Sequence, residues 1–573
     1  MKENPRQIGD KHVKEVYLAL KKYVNKEDLG FCTEAVHKTA TYIIDCYPNI
    51  KCVFSKFDFS KTEKEDLLLV LEDGSKIRVN LFLIKKGGRI QPKNLGAKSF
   101  LEKYFLQEKL QDHFNAKFEE AYNRFLKRLY EEKYGFPYLG DQKELKKIIK
   151  EKFQSFTPEI NPMRDEFLYS LREECFALLT DFYNGKNQEF LHAYNTLLMV
   201  GDFNVITVYG KGGSAQIETF EAKKPSFDDI QIYKTGKSTV GIRCGEIGLT
   251  LRFKFESRPS SSIKLATSYE YFTEENSFKN KNENEITLRK VEELMHNHNF
   301  EKAKNTSNAI GKCHEAITYY YFLSEYPNIL QVETDKCIDL LSQYSSLIDP
   351  ELLGMLFQST STIVPAIRER LSAKYKNYEI ESIELIPESY IVDRLNTGDI
   401  QLVLRINGKY LTEDISLKAI AKKSGKITTK NPGVGTILGP IYFNLGSMDS
   451  IVSETKSHYE SGAIGRREVL ENLSEELGAK LQEASQEKLK KGIESLIGKA
   501  LMAITYYKEK ASICKKPSEI NGEINVYVKS PSPIQNTLSW NENLEMLNLR
   551  MKFSKGEEHG WSSVKLTSEY QIK

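Results

Sequence analysis

The chain carries two copies of a strand–turn–strand segment, and this repetition constrains its fold more than any other feature. "DLLLVLEDGSKIRVNLFLIKK" begins at Asp66, and "DIQLVLRINGKYLTEDISLKA" begins at Asp399. A lysine follows the aspartate at the same interval in both copies, at Lys85 and at Lys418. An internal repeat indicates that one structural unit occurs twice, so it is interpreted before any single element.

Further blocks repeat in the same order along the two halves. They are "PKNLGAKSF" (92–100) with "TKNPGVGTI" (429–437), "YEEKYGFPYLGDQKELKKIIKE" from Tyr130 with "SEELGAKLQEASQEKLKKGIES" from Ser474, "FNVITV" (203–208) with "INVYVK" (524–529), "LRFKF" (251–255) with "LRMKF" (549–553), and "SSIKL" (261–265) with "SSVKL" (562–566). A chain of 573 residues is also too long for one ordinary core. The sequence therefore predicts a tandem duplication.

The duplication predicts a first repeat over 1–275 and a second over 361–573. The stretch 276–360 is interpreted as a linker and a helical insertion, since it has no visible counterpart in the first half. Each repeat is expected to hold a lead-in helix, the strand–turn–strand segment, charged helices and a β-rich C-terminal segment. The lead-in helices are predicted at 34–44 and 363–375, the charged helices at 142–153 and 486–507, and the β-rich segments at 200–275 and 520–573. The predicted fold class is mixed, α+β or α/β.

Composition excludes several other classes of protein. Hydrophobic residues make up 40% and charged residues 28% of the chain, which is typical of a globular protein. No apolar run is long enough to span a bilayer, and the N-terminus has no signal-peptide core, so we expect a cytoplasmic protein with no membrane partner. The net charge of +3 leaves no global footprint for a polyanion, so a nucleic-acid surface must be local.

The second strand–turn–strand segment carries side chains suited to phosphodiester hydrolysis. Alternate residues of a strand share a face, so Asp414, Ser416 and Lys418 are expected to point together. Asp399 on the neighbouring strand can reach the same place. Hydrolysis of a phosphodiester needs oxygen ligands for Mg²⁺ and a cation beside the attacking water. We therefore expect Asp399 to bind metal, Asp414 or Glu413 to supply a second carboxylate, and Lys418 to orient the water.

This arrangement resembles the PD-(D/E)xK nuclease superfamily, over roughly 360–445 and more weakly over 34–105. The resemblance is carried by Asp399 and by Ser416-Leu417-Lys418 after a short hairpin. It implies a restriction-endonuclease-like core in each repeat, a Mg²⁺ cofactor that Mn²⁺ can replace, and double-stranded DNA as substrate. Ser416 stands where the family has Glu, Asp or Gln. The resemblance thus implies that Asp414, or Glu369 on the preceding helix, supplies the missing metal ligand.

The first copy differs from the second at the same face. Asp66 and Lys85 are its predicted equivalents of Asp399 and Lys418, but the face running back from Lys85 holds Leu83 and Leu81. Leucine cannot bind a metal ion. The first repeat is therefore predicted to be degenerate and the second to be catalytic.

A basic run follows each strand–turn–strand segment and predicts contact with a phosphate backbone. Glycine in these runs lets main-chain N–H groups approach phosphates closely. The predicted DNA-binding residues are Lys422, Lys423, Lys426, Lys430 and Asn431 in the second repeat, and Lys86, Arg89, Lys93 and Asn94 in the first.

Two histidine-containing segments are weaker candidates for a metal site. "MHNHNF" (295–300) and Cys313-His314-Glu315 contain ligand types, but neither has a complete set at zinc spacing. Core packing is the preferred interpretation of both.

These observations favour a Mg²⁺-dependent, site-specific DNA endonuclease of the type II restriction kind or a related anti-phage defence enzyme. Its two repeats would act as a pseudo-dimer within a monomer, or the chain would form a homodimer. The alternative is a non-catalytic nucleic-acid-binding or assembly protein built on degenerate nuclease folds. A structural protein whose repeat serves only symmetry is a third hypothesis.

Overall fold

The structure is a computed structural model that divides into two compact units, Met1–Asn276 and Ser277–Lys573. It describes residues 5–28, 30, 32–58, 65–86, 90, 94–210, 212–220, 224–245, 247–271, 279–297, 299–301, 306–387, 390, 398–423, 426–429, 432–517, 519–554 and 557–572. Within these ranges, no helix has both the length and the apolar character that crossing a membrane requires. The two units are called unit 1 and unit 2.

Unit 1 alternates between helices and short strands. Its helices are α1 (Pro5–Val24), α2 (Glu34–Cys46), α3 (Phe100–Phe105), α4 (Glu108–Tyr134), α5 (Gln142–Lys152), α6 (Asn161–Asn184) and α7 (Gln188–Leu198). Its strands are β1 (Ile50–Ser55), β2 (Leu67–Leu71), β3 (Lys76–Lys85), β4 (Asn94–Gly96), β5 (Phe203–Tyr209), β6 (Ala215–Phe220), β7 (Ile230–Thr235), β8 (Thr239–Cys244), β9 (Ile247–Phe255) and β10 (Ile263–Tyr271).

Two sheets organise unit 1. The first has the order β1-β2-β3-β5-β6, and its only parallel neighbours among the described strands are β3 and β5. Helices α1 and α2 bury Val16 and Val36 against this sheet, in a core that includes Leu69 and Val205. The second sheet has the order β4-β10-β9-β8-β7 and is antiparallel. An aromatic cluster joins it to α4 and α6, through contacts such as that between Phe114 and Phe253.

Unit 2 is built from similar elements. Its helices are α8 (Lys279–His296), α9 (Ser307–Glu325), α10 (Lys336–Tyr344), α11 (Pro350–Thr360), α12 (Ile363–Lys374), α13 (Asp449–Glu460), α14 (Arg466–Gln482) and α15 (Gln486–Ile497). Its strands are β11 (Leu330–Gln331), β12 (Tyr378–Leu385), β13 (Ile400–Ile406), β14 (Lys409–Ile420), β15 (Ile427–Thr428), β16 (Leu501–Tyr506), β17 (Ala511–Lys515), β18 (Asn525–Tyr527), β19 (Gln535–Trp540), β20 (Glu545–Phe553) and β21 (Val564–Ile572).

Unit 2 also has two sheets, and their strand orders match those of unit 1. The first is β11-β12-β13-β14-β16-β17, in which β14 and β16 are parallel neighbours as β3 and β5 are. The second is β15-β21-β20-β19-β18, which follows the order β4-β10-β9-β8-β7. The short β11 is the one described strand added at the edge of the first sheet. Both units therefore show a mixed α/β architecture with the same sequence of strand neighbours.

Strand β16 lies between two cores of unit 2. Leu501 and Ala503 belong to the core under α9 and α12, whereas Met502 and Ile504 belong to the core under α14 and α15. A strand buried on both faces is apolar throughout, and such a run cannot be distinguished from a helix by periodicity. The predicted helix over 486–507 is therefore wrong at its end. The helix stops at Ile497, before Gly498 with φ of +85°, and a strand follows.

This correction also changes one of the matched blocks. The segment 203–208 forms most of β5 in the first sheet of unit 1, but 524–529 overlaps β18 at the edge of the second sheet of unit 2. The pairing of "FNVITV" with "INVYVK" is therefore wrong. The segment that corresponds to β5 in position is β16, which lies within the stretch 486–507 predicted as a helix.

The stretch predicted as an insertion contributes to the core. Helix α9 places Cys313 and Phe322 in the same apolar cluster as Ile383 and Leu402 of the sheet. It packs on β12 and β14, as α1 packs on β1 and β3. Helix α9 thus packs on the first sheet of unit 2 in the way that α1 packs on the first sheet of unit 1.

Candidate active site

Asp399 lies at the point where the chain enters β13 beside β14. Its backbone N–H donates to the Ile415 carbonyl at 2.8 Å, which holds the two strands in register. Its carboxylate Oδ2 accepts hydrogen bonds from the Leu417 N–H at 2.6 Å and from the Ser416 hydroxyl at 3.3 Å. The Lys418 Nζ lies 3.8 Å from the same oxygen. The structure thus brings together Asp399, Ser416 and Lys418, as the sequence predicted.

A second carboxylate beside Asp399 comes from α9 and was not among the predicted site residues. Glu315 is 8% exposed, and its two oxygens accept hydrogen bonds from Lys312 Nζ at 2.8 and 3.0 Å. Burial, and then the nearby Asp399 carboxylate, raise the pKa of Glu315 to about 7, while Lys312 and Lys418 act in the opposite direction. Burial and the Asp399 charge therefore both disfavour the charged form of Glu315.

His314, the neighbour of Glu315 on α9, is fully buried and packs beneath this site. Its Nε2 lies 2.8 Å from the Thr505 hydroxyl of β16. Burial, and then the Lys418 ammonium, lower the pKa of His314 to about 3, so the ring is neutral. The interpretation of His314 as a packed residue fits this environment. Glu315 belongs to the same Cys313-His314-Glu315 segment, whose spacing does not match a zinc site and therefore gives no signal for a role of this carboxylate.

The carboxylates predicted to complete the site lie in different places. Asp414 is half-buried on β14, on the same strand face as Ser416 and Lys418 and close to Gly398. Its Oδ1 accepts a hydrogen bond from Gln401 Nε2 at 2.9 Å. Glu413 points to the other face, where it accepts from Lys374 Nζ and from the Tyr375 hydroxyl. Glu369 is exposed on α12.

The residues present fit a hard divalent cation that is completed by substrate. The described residues contain no group of three or more histidine, cysteine, aspartate or glutamate side chains arranged to hold a metal ion. Mg²⁺, however, is usually bound by one or two carboxylates together with water and substrate phosphates. Asp399 and Glu315 are two carboxylates that interact electrostatically, since Asp399 contributes to the raised pKa of Glu315.

The equivalent place in unit 1 has the same backbone geometry. The Asp66 N–H donates to the Val79 carbonyl at 3.1 Å, and Asp66 Oδ2 accepts from the Leu81 N–H at 2.9 Å. Leu81 therefore corresponds to Leu417. It follows from the strand register that Phe82 stands in the place of Lys418.

The equivalence of Lys85 with Lys418 was therefore wrong. Strands β2 and β3 pair Leu67 with Val79, whereas β13 and β14 pair Ile400 with Ile415. The stretch of chain between the paired residues is shorter in unit 1, so equal intervals from aspartate to lysine do not mark equal positions. Lys85 is exposed near the end of β3.

A lysine neutralises Asp66 in unit 1. Lys56 Nζ lies 3.0 Å from Asp66 Oδ1 and 2.7 Å from Asp10 Oδ1. Burial lowers the pKa of Lys56, but the two carboxylates outweigh it and raise that pKa overall. Within the described residues, no hydrogen bond or ion pair engages the corresponding Oδ1 of Asp399. The two aspartates thus differ at Oδ1, which pairs with a lysine in Asp66 and has no partner among the described residues in Asp399.

The predicted DNA-binding residues are only partly described. Lys422, Lys423 and Lys86 have exposed side chains. Lys426 Nζ lies 3.2 Å from a Glu569 oxygen. The backbone of Asn94 pairs with Ala266 in the second sheet of unit 1. Arg89, Lys93, Lys430, Asn431 and the side chain of Asn94 lie outside the described residues.

Comparison with known proteins identifies a relative that matches over its full length. No protein-family model matches the chain. The chain is 53% identical over 575 aligned positions to the type II restriction enzyme BsuRI of Bacillus subtilis, and the alignment covers 100% of both proteins.

Proposed function

The chain belongs to the type II restriction enzymes and is an endodeoxyribonuclease, and on this premise we propose that it cuts double-stranded DNA site-specifically at a single Mg²⁺-dependent centre in unit 2. The observation that carries the proposal is the ion pair of Asp399 and Lys418 on adjacent strands of one sheet, on which the helix that carries Glu315 packs. The alternative of a non-catalytic binding protein is not favoured for a member of this family.

Asp399 and Glu315 are the proposed ligands of the metal, which Mn²⁺ can replace. When bound, the metal would polarise the scissile phosphate and lower the pKa of a bound water. Asp399 is held in place by the Leu417 N–H and the Ser416 hydroxyl, which fix one carboxylate oxygen and leave the other facing outward. Lys312 holds both oxygens of Glu315, so this side chain is positioned before substrate arrives.

Lys418 is the proposed cation beside the attacking water. Its ammonium is half-buried, 26% exposed, and 3.8 Å from Asp399. A positive charge there stabilises the negative charge that develops on the phosphate and on the water as it loses its proton. Ser416 takes no part in binding the metal in this proposal, because its hydroxyl is directed to Asp399.

The two units are proposed to be a tandem duplication of a restriction-endonuclease-like core, with unit 1 degenerate. The shared strand orders and the shared aspartate geometry support the duplication. Phe82 in place of Lys418, and Lys56 beside Asp66, support the loss of chemistry from unit 1. One centre per chain cuts one strand at a time. Double-strand breaks then need two sequential nicks or a second chain.

The basic run after β14 is proposed to bind the DNA backbone near this centre. Lys422 and Lys423 are exposed in the segment that follows β14, which carries Lys418. Lys426 is already paired with Glu569, so its contribution should be smaller.

The test is incubation of the protein with plasmid DNA in the presence and absence of Mg²⁺. Discrete fragments that disappear with a chelator and return with Mg²⁺ or Mn²⁺ support the proposal. A smear would indicate a non-specific nuclease, and retarded migration without cutting would indicate a binding protein. The Asp399→Ala variant should bind the same DNA without cutting it, whereas cutting by this variant would place the centre elsewhere.

A further inference from the structure

We propose that one face of the second sheet in each unit binds the phosphate backbone of the DNA substrate through a cluster of three cations. In unit 2 the cluster is Arg550, Lys552 and Lys565, which is called the sheet-face cluster. This inference rests on the proposed function, because the ligand is the DNA that the enzyme cuts.

The strand register places the three side chains on one face of the sheet in unit 2. Arg550 and Lys552 are alternate residues on β20, so they point the same way. Lys565 on β21 is the direct partner of Lys552 across the strands. All three side chains are exposed. Among the described residues, none of the three has an acidic side chain within ion-pair distance.

Two lysines directly opposite each other on one face repel and destabilise a sheet pair. Such an arrangement is usually relieved by a neighbouring carboxylate. Glu569 is on the same face but is engaged by Lys426 at 3.2 Å. Among the described side chains, the sheet-face cluster therefore has no carboxylate that compensates its positive charge, which suits a polyanionic ligand.

The opposite face of this sheet is closed by the protein itself. Leu547, Leu549 and Met551 of β20 are fully buried in the core under α14. Asn536 of β19 donates to the Ser474 carbonyl of that helix at 2.7 Å. On the face that carries the cluster, Arg550, Lys552 and Lys565 are exposed and can reach a ligand.

Other polar side chains on the face that carries the cluster form hydrogen bonds within the protein. The proposed contact with DNA is therefore confined to the cluster. The Thr537 hydroxyl lies 2.7 Å from the Ser530 carbonyl and 2.9 Å from Asn548 Oδ1, and Asn548 Oδ1 accepts from Gln535 Nε2 at 3.0 Å. These polar side chains are buried. Their hydrogen bonds are already used, so base reading by them is not part of the proposal.

The same three positions are basic in unit 1. Arg252 and Lys254 are alternate residues on β9, and Lys264 on β10 is the direct partner of Lys254. These residues come from "LRFKF" and "SSIKL", the blocks that correspond to "LRMKF" and "SSVKL" in unit 2. Arg252 is exposed, and Lys264 is paired with Glu256 at 2.5 Å. The cation pattern thus persists in a unit whose catalytic lysine has been replaced, which separates it from the chemistry of cutting.

The ligand of this cluster is the sugar–phosphate backbone rather than base edges. Two of the three cations are lysines, which act as point charges and carry little geometric specificity. Contacts of this kind orient a protein on DNA and contribute affinity for all sequences. Their signature is a dependence of the binding constant on salt concentration, with a slope of about −0.9 per neutralised phosphate.

The test compares two triple variants by fluorescence anisotropy on duplex DNA without divalent metal, over a range of salt concentrations. The first is Arg550→Gln, Lys552→Gln and Lys565→Gln. The matched control is Lys456→Gln, Arg467→Gln and Lys480→Gln, which removes the same charge from cations that are paired on their own helices with Glu460, Glu471 and Glu476. A third set, Arg252→Gln, Lys254→Gln and Lys264→Gln, tests unit 1.

The sheet-face variant should lose at least about tenfold in affinity for cognate and unrelated duplexes alike, and its salt slope should fall by up to about 2.7. The control should lose much less. Equal losses in the two variants, or an unchanged slope in the first, would overturn the inference. Because no metal is present, this result does not depend on whether the Asp399 centre cuts. Cutting by Asp399→Ala would instead refute the proposed function and leave the cluster standing.

Discussion

The two units place an aspartate in the same backbone setting but differ in the charged groups around it. In unit 1 the Lys56 ammonium pairs with Asp66 Oδ1 at 3.0 Å, while in unit 2 the Lys418 ammonium lies 3.8 Å from Asp399 Oδ2 and Asp399 contributes to the raised pKa of Glu315. Both aspartates accept a hydrogen bond from the neighbouring strand, at Leu81 and at Leu417. The comparison shows that the sheet provides the place for a carboxylate, and that a few neighbouring side chains decide whether the carboxylate is available to a metal ion.

The largest expected effect separates the two aspartates. Asp399→Ala should reduce DNA cleavage at least about 10³-fold, since loss of a metal ligand removes several kcal/mol of transition-state stabilisation. Asp66→Ala should leave the cleavage rate close to that of the wild type. A supercoiled-plasmid assay that resolves nicked from linear product measures both. If the two variants stop equally at the nicked form, both units cut and the proposed inequality is wrong.

The next effect concerns the lysines. Lys418→Ala should reduce the rate of cleavage by roughly 10²- to 10³-fold with little change in DNA affinity, because its charge acts mainly on the transition state. Lys85→Ala is the comparison, since Lys85 follows Asp66 at the same interval but lies further along β3 than Phe82, the structural counterpart of Lys418. Similar losses of rate from both changes would show that Lys85 and Lys418 have equivalent roles, as the sequence predicts.

A smaller effect tests the role of Glu315, which the sequence did not predict as a site residue. Glu315→Gln should reduce cleavage by about 10- to 100-fold and raise the Mg²⁺ concentration needed for half-maximal rate, since the amide keeps the shape but loses the charge. Glu369→Gln is the matched change on the exposed side of α12. The assignment fails if Glu369→Gln has the larger effect on the Mg²⁺ requirement.

Neutralising the basic run should weaken binding more than cutting at saturation. Lys422→Gln, Lys423→Gln and Lys426→Gln together should lower the salt slope of DNA binding by about two to three units, with the smaller value expected because Lys426 is paired with Glu569. The comparison in unit 1 is Lys86→Gln, which should lower the slope by no more than about one unit. An unchanged slope in the triple variant would place the backbone contacts elsewhere.

The smallest effect is on stability rather than on activity. Lys56→Met leaves Asp10 and Asp66 without their shared cation and should destabilise unit 1 by about 1 kcal/mol, a modest value because all three side chains are partly exposed. The melting temperature should fall by a few degrees while the cleavage rate stays near that of the wild type. A large loss of cleavage with unchanged stability would show that unit 1 takes part in the chemistry.

Local patterns were enough to predict several elements and the proximity of three side chains. The lead-in helices appear as α2 and α12, and the β-rich segment predicted at 200–275 contains β5 to β10. Asp399, Ser416 and Lys418 come together because they lie on adjacent strands of one hairpin, so their proximity depends only on local register. Residues joined by a short turn can be placed from sequence because the turn fixes which of them face each other.

The remaining features depend on contacts between segments that are distant along the chain. Glu315 reaches Asp399 only because α9, which lies far before β13 in the sequence, packs across the sheet. Lys56 meets Asp10 through the packing of α1, which no local pattern reveals. The length of the hairpin in unit 1, and the burial of β16 on both faces, were likewise decided by the tertiary structure. The sequence by itself determined the repetition, the hairpins and the place of Lys418 beside Asp399, whereas long-range packing placed Lys56 between Asp10 and Asp66 and brought the helix of Glu315 onto the sheet.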